Sequence, residues 1–201
     1  MELIDQGGPV MWPLLALSVL TLAVLVERLL AFAALRPPGA SLQARLVAAA
    51  RDGHPQEALA ELHAAAPFLE PLVAALLAPG READRERVAL VAIEDVVQRM
   101  GRRLPVLSVT ARVAPLLGLL GTVLGMIQTF SRLSATSGAI DMTALAGGIW
   151  QALITTAAGL SLAIPAVLAH QWFLRRQDRA AAAMTRLANL MLAQAREPGG
   201  S

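Results

Sequence analysis

From Met142 to Leu174 the chain carries no charged side chain. As a helix rising about 1.5 Å per residue, that run is about 50 Å long, more than the roughly 30 Å hydrocarbon core of a bilayer. It predicts a membrane-crossing helix whose ends protrude or whose axis tilts. Two other runs predict the same. Pro9 to Val26 is uncharged and continues through Leu29 to Leu35, interrupted only by Glu27 and Arg28. Val113 to Phe130 is uncharged and spans about 27 Å at the helical rise. The bulk composition agrees: 56% of residues are hydrophobic and 16% charged, where soluble domains average about half and about a quarter.

Every basic residue other than histidine is arginine, and the arginines set a topology. Residues 1–27 have none, residues 36–103 have nine, and the chain after Leu174 has five. The connection between the second and third runs has only Arg132, at its edge. By the positive-inside rule the N-terminus lies outside, and the 36–103 region and C-terminus lie inside. The expected order is an outer stub (1–8), a first transmembrane helix (9–35) and an inner helical region (36–103). A second transmembrane helix (104–130), a short outer loop (131–142), a third transmembrane helix (143–174) and an inner C-terminal helix and tail (175–201) follow. The fold class is an all-α membrane protein whose long helices extend into the inner region. The stub lacks the basic n-region of a cleavable leader.

Within the inner region, Arg36-Pro37-Pro38-Gly39 stops the first helix. Ser41 is placed to cap a helix to Arg51, Pro55 opens another to Ala66, and Pro67 ends it. Phe68 to Leu77 predicts a short apolar helix closed by Pro79-Gly80. From Glu82 to Arg103, the residues Ala89, Ile93, Val96, Val97, Met100 and Leu104 form one apolar stripe of an amphipathic helix. That helix is expected to run on into the second membrane helix as one rod, with Gly101 and Pro105 as the places where it would kink. Glu27, Arg28 and Arg112 are expected at inner ends of membrane helices, snorkelling to the interface. Trp12 is the matching outer anchor. Pro165 should kink the third helix unless neighbours satisfy the carbonyl it frees.

Small and hydroxyl residues recur at helical spacing. Pro115, Gly118, Thr122, Gly125 and Thr129 form one ribbon, and Gly121 with Gly125 makes a small-xxx-small pair. Gly148, Ala152, Thr155, Gly159 and Ala163 form another, with Gln151 and Thr156 beside it. One use of such ribbons is tight packing, each threonine bonding back to an i−4 carbonyl. The other is that some of Thr122, Gln151, Thr155 and Thr156 face a polar path, because polar groups facing lipid are costly. No carboxylate lies deep in any run, and His170 sits near the inner end of the third as an interfacial histidine. A proton relay needs an ionisable group, so a titrating carboxylate would have to come from a partner.

Other chemistry is thin. His54 and His63 lack metal-ligand spacing on one helix face, and Glu57 with Glu61 reads as a solvated face. The charges around Arg81 to Arg87 can pair at i, i+3 or i+4 for a few tenths of a kcal/mol each. There is no phosphate-cradling glycine loop, no Ser–His–Asp set and no zinc motif, so neither catalysis nor a cofactor or metal is expected. With no cysteine there is no disulfide or thiolate. A net charge of +2 without arginines interleaved with aromatics leaves no nucleic-acid footprint.

At APLLGLLGTVLGM (114–126) and GIWQALITTAAGL (148–160), the chain resembles the ExbB/TolQ/MotA proton-channel family, the ExbB/TolQ branch most closely. Glu27-Arg28-Leu29 is similar to the family too, and three crossings fit ExbB/TolQ better than the four-helix flagellar branch. The resemblance implies a bacterial inner-membrane homopentamer with a periplasmic N-terminus and a cytoplasmic C-terminus. Its second and third helices would line a central pore around the single-pass helices of an ExbD/TolR-like dimer. The partner's Asp would carry the proton, and a TonB/TolA-like transducer would receive the work. By motif match Thr122 and Thr156 are the pore-lining threonines. Position 151 can be Glu in the family and is Gln here. Nutrient import and envelope maintenance both stay open, as does a non-conducting scaffold for partner helices.

Overall fold

The computed structural model describes residues 7–34, 44–48, 60, 62–63, 66–135 and 142–196. Among these, all regular structure is helical. Helix α1 is Met11–Ala34, and a 3₁₀ turn at Pro67–Leu69 leads into α2, Glu70–Leu77. Then come α3 (Glu82–Gly101), α4 (Leu104–Ala135) and α5 (Met142–Arg196). Three of them, α1, α4 and α5, are long and apolar enough to cross a membrane. Only 22–28% of their most apolar windows is buried within the chain. Apolar faces of that size need a bilayer or another chain to cover them.

The segment boundaries follow local chemistry. Gly7 to Val10 forms a turn, with the Met11 amide donating to the Gly8 carbonyl at 3.1 Å, and α1 follows. Ala78 leaves the helical region with ψ 143° because Pro79 follows it, and that ends α2. Of the helix expected from Ser41 to Arg51, residues 44–48 are described and helical. Most of the helix expected from Pro55 to Ala66 lies outside the described residues, as do His54, Glu57 and Glu61.

The single rod expected from Glu82 into the second membrane helix is not formed. The chain breaks at Arg102, which is extended, and at Arg103, whose φ is +67°. Pro105 supplies the reason. In a continuous helix its ring would meet the Gly101 carbonyl, and it has no amide to donate there. In the first turn of a new helix both problems vanish. Further on, α4 passes through Pro115 and α5 through Pro165. Helix α5 is continuous for 55 residues, so the third span and the tail are one element.

The chain divides into two compact units, residues 1–27 with 103–172 and residues 28–102 with 173–201. In the first, Val10 and Leu14 of the α1 end pack with Ala114 of α4 and Ala163 of α5. Leu17, Leu117, Leu124, Ala158 and Leu162 close around them. In the second, the expected stripe of α3 is inward: Ala89, Ile93, Val96 and Met100 are buried, and so are Leu72, Val73 and Leu76 of α2. The rings of Phe32 and Phe173 meet at 4.9 Å between centroids, and Gln177 Nε2 donates to the Val97 carbonyl at 3.0 Å. Arg28 also belongs there. It is 8% exposed and donates to the carbonyls of Arg99 and Met100, at the C-terminus of α3. Helix C-termini carry unsatisfied carbonyls and partial negative charge, which a guanidinium caps well. The snorkelling expected of Arg28 is therefore replaced by a helix cap.

Candidate functional site

The site is built on the seam between α4 and α5, where small residues let the backbones approach. A Cβ on Gly159 would lie 2.5 Å from the Ala114 carbonyl oxygen and 3.1 Å from Gly118 Cα. One on Gly118 would lie 3.1 Å from the Thr155 carbonyl oxygen and from Thr156 Cα. One on Gly121 would collide with the Thr155 side chain, and one on Gly148 with Thr129. Gly125 faces Ala152 at ordinary contact distance. Gly118, Gly121, Gly125, Gly148 and Gly159 all lie along this seam, and Pro115 sits half-buried beside them. Ala114, fully buried, completes the ribbon and was not singled out from the sequence.

The four polar candidates fall into two pairs. Thr155 is fully buried, its hydroxyl 2.9 Å from the Gly7 carbonyl oxygen and 3.0 Å from that of Gln151. Gln151 lies against the same N-terminal turn: a Cβ on Gly8, whose φ is +73°, would lie 2.6 Å from Gln151 Nε2. The positive φ there favours glycine. Thr156 is different. Its hydroxyl crosses the seam to the Gly118 carbonyl at 3.1 Å. Gly118 lies one turn before Thr122, whose half-buried hydroxyl donates to the Leu119 carbonyl at 2.7 Å. Thr122 and Thr156 thus share one edge of the seam, and Gln151 and Thr155 sit under the N-terminal turn. Back-bonding within a helix, expected for every threonine, holds at i−4 for Thr129 and Thr155, whereas Thr122 uses i−3 and Thr156 goes to the other helix.

A second polar contact was missed at the sequence level. Thr21 of α1 and Thr110 of α4 are buried with their hydroxyls 2.9 Å apart. Thr21 also donates to the Leu17 carbonyl at 2.6 Å, so Thr110 is the donor between the two threonines. The signal was a threonine on each helix, Thr21 in the first apolar run and Thr110 ahead of Val113, and spacing along one chain does not reveal a partner on another helix.

Thr21–Thr110 and the ion pair of Glu27 with Arg103 set the register of α1 against α4. They stand six residues apart on α1 and seven on α4, running in opposite directions. That register locates Arg112 along α4, its guanidinium bonded one turn back to Ser108. Arg103, not Arg112, stands level with the charged end of the α1 run. Arg112 lies nine residues further along, about 13 Å at the helical rise. This is the depth of Val19, near the middle of the uncharged run. His170 is half-buried near the inner end of its helix, and His63 is exposed with Nδ1 2.8 Å from Glu70 Oε2. Among the described residues, no group of three or more His, Asp or Glu side chains could hold a metal ion.

Residues 57–186 match the MotA/TolQ/ExbB proton channel family. The chain is 36% identical to the biopolymer transport protein exbB1 of Vibrio cholerae, over 94% of this chain and 85% of that protein. It is 36% identical to a putative ExbB-like biopolymer transport protein of Synechocystis, over 87% of this chain and 70% of that one. The Tol-Pal system protein TolQ of Haemophilus influenzae is 40% identical over a shorter stretch, 42% of this chain and 36% of its own length.

Proposed function

The chain belongs to the MotA/TolQ/ExbB proton channel family, and we propose that it is the pore-wall subunit of an inner-membrane motor driven by the proton motive force. In this role copies of the chain, five in number, surround a pore. An ExbD/TolR-like single-pass partner inside it supplies the proton-carrying Asp. Proton passage turns the partner, and a TonB/TolA-like transducer delivers the work to the outer membrane. A charge crossing 100 mV releases about 2.3 kcal/mol, so a few protons supply the energy of a substantial conformational step.

One observation carries this reading. No carboxylate lies deep in any membrane run, yet Thr122 and Thr156 gather at one edge of a glycine-packed seam. A wall with hydroxyls and no titrating acid suits a channel whose proton carrier belongs to another chain. Thr122 and Thr156 are the lining residues in this proposal. Gln151 and Thr155 support the path from behind by seating the N-terminal turn.

The non-conducting scaffold draws on one fact: the hydroxyls of Thr122 and Thr156 already find carbonyl acceptors within the chain. Thr122→Val and Thr156→Val separate the two roles in cells. With protein levels intact, the pore wall requires that both changes reduce energised uptake or envelope integrity. Unchanged phenotypes for both would remove the lining assignment. A TonB-like transducer encoded beside this chain would assign import, and a TolA-like one envelope maintenance. Native mass spectrometry should return five copies, and any other number breaks that part of the proposal.

A further inference from the structure

A pocket of about 270 Å³ opens in the second unit, away from the glycine seam. Ala31 and Phe32 of α1, Phe68 of the 3₁₀ turn and Met100 of α3 form its apolar walls. Two guanidinium groups, Arg28 and Arg99, line it as well. Glu27 and Arg28 are the first charges after the uncharged run of α1. A pocket that begins at Arg28 therefore lies where hydrocarbon gives way to headgroups, because charges mark the end of a membrane span.

The charges around it do not cancel. Arg28 caps the last carbonyls of α3, a helix end worth about half a negative charge. Arg99 pairs with Asp95 through one Nη. Its Nε and other Nη have no partner among the described residues, and its side chain is 57% exposed. Arg102, also exposed, follows at the end of α3. Arginine forks of this kind take a second anion in the same plane. The occupant must match both halves of the lining. A free phosphate would meet the guanidinium groups and leave Phe32, Phe68 and Met100 uncovered. An acyl chain alone would press hydrocarbon against two cations, which is costly. An acidic phospholipid carries both groups and already has its phosphate at this depth, and basic pockets on membrane helices at a leaflet surface hold such headgroups.

We propose that this pocket is a binding site for an anionic phospholipid of the adjoining leaflet. Arg99 and Arg28 hold its phosphate, and the first part of an acyl chain lies against Phe32, Phe68 and Met100. The lipid joins α1, the Pro67–Leu69 turn and α3, so membrane composition tunes the stability of this unit. The site stands apart from the pore-wall reading and needs only that α1 crosses the membrane.

The test uses the full chain in an uncharged detergent. Thermal unfolding is followed against added phosphatidylglycerol, phosphatidylcholine with the same acyl chains, or inorganic phosphate, and affinity is read from the rise of the midpoint with ligand. Phosphatidylglycerol should bind at least about tenfold tighter than phosphatidylcholine, as two interfacial arginines allow. Arg99→Gln keeps the Arg28 cap and should weaken phosphatidylglycerol about fivefold. Ala31→Leu keeps both charges, fills the pocket and should weaken it too. Arg102→Gln lies outside the lining and should leave binding near the wild-type value. Equal affinity for the two lipids overturns the proposal, and so does a phosphatidylglycerol preference that survives Arg99→Gln. An Arg102→Gln effect as large as that of Arg99→Gln would assign the preference to diffuse surface charge and overturn it. A midpoint rise with inorganic phosphate equal to that with phosphatidylglycerol would make the ligand a free anion and overturn it as well.

Discussion

Gly159 has no room for a side chain, because a Cβ there would press on the backbone of α4 at Ala114 and Gly118. Backbone cannot move aside as a flexible side chain can, so Gly159→Ala should destabilise by about 1–3 kcal/mol. Gly147 is the control: nothing lies within 4 Å of its Cβ position. Gly147→Ala should be neutral or stabilising by up to about 1 kcal/mol through helix propensity. Thermal unfolding in detergent compares the two directly, and equal effects would contradict the seam geometry. At Thr155 the hydroxyl serves packing, since it holds the Gly7 carbonyl. Thr155→Val should lower stability by about 1–2 kcal/mol. It should leave proton flux near the wild-type value if the path runs along Thr122 and Thr156. The sequence made these residues visible as ribbons, because glycine and threonine stand out among leucines. It did not divide Gln151 and Thr155 from Thr156. That division depends on the N-terminal turn folding back across α5, a contact 148 residues apart in the chain.

Among the helices, the joint between α3 and α4 is the element that most departs from expectation. Its cause, Pro105, was readable, but spacing alone let the apolar stripe run up to it at Leu104. Arg103 holds φ +67° there while its guanidinium pairs with Glu27. Arg103→Gly and Arg103→Ala both lose that pair, which is exposed enough to contribute at most about 1 kcal/mol. Only glycine takes the positive φ freely, so the Ala variant should be less stable than the Gly variant by about 1 kcal/mol. Equal unfolding free energies would mean that the joint relaxes to an ordinary conformation. Arg28 shows why helix ends resist sequence reading. Its charge marked the end of the α1 run, whereas its partner, the end of α3, lies about seventy residues away in sequence. Arg112 carries the same lesson. Its depth follows from the pairing of Thr21 with Thr110 and of Glu27 with Arg103, and neither pair is visible along a single helix.

For the whole molecule, three apolar helices, their order and the family were legible because uncharged runs of this length have few other homes. The two long sequence motifs fall on the packed seam itself, which is why they carried the family so well. The large exposed faces of α1, α4 and α5 need a bilayer or another chain to cover them. The pore-wall role is tested most directly by proton flux into liposomes containing this chain with its co-purified membrane partner. An imposed potential should drive acidification with the wild-type complex, and the Thr122→Val, Thr156→Val double variant should lose at least about nine-tenths of it, in keeping with the cost of removing polar groups from a proton path. Flux in the double variant equal to the wild type, at equal assembly, would contradict the central claim.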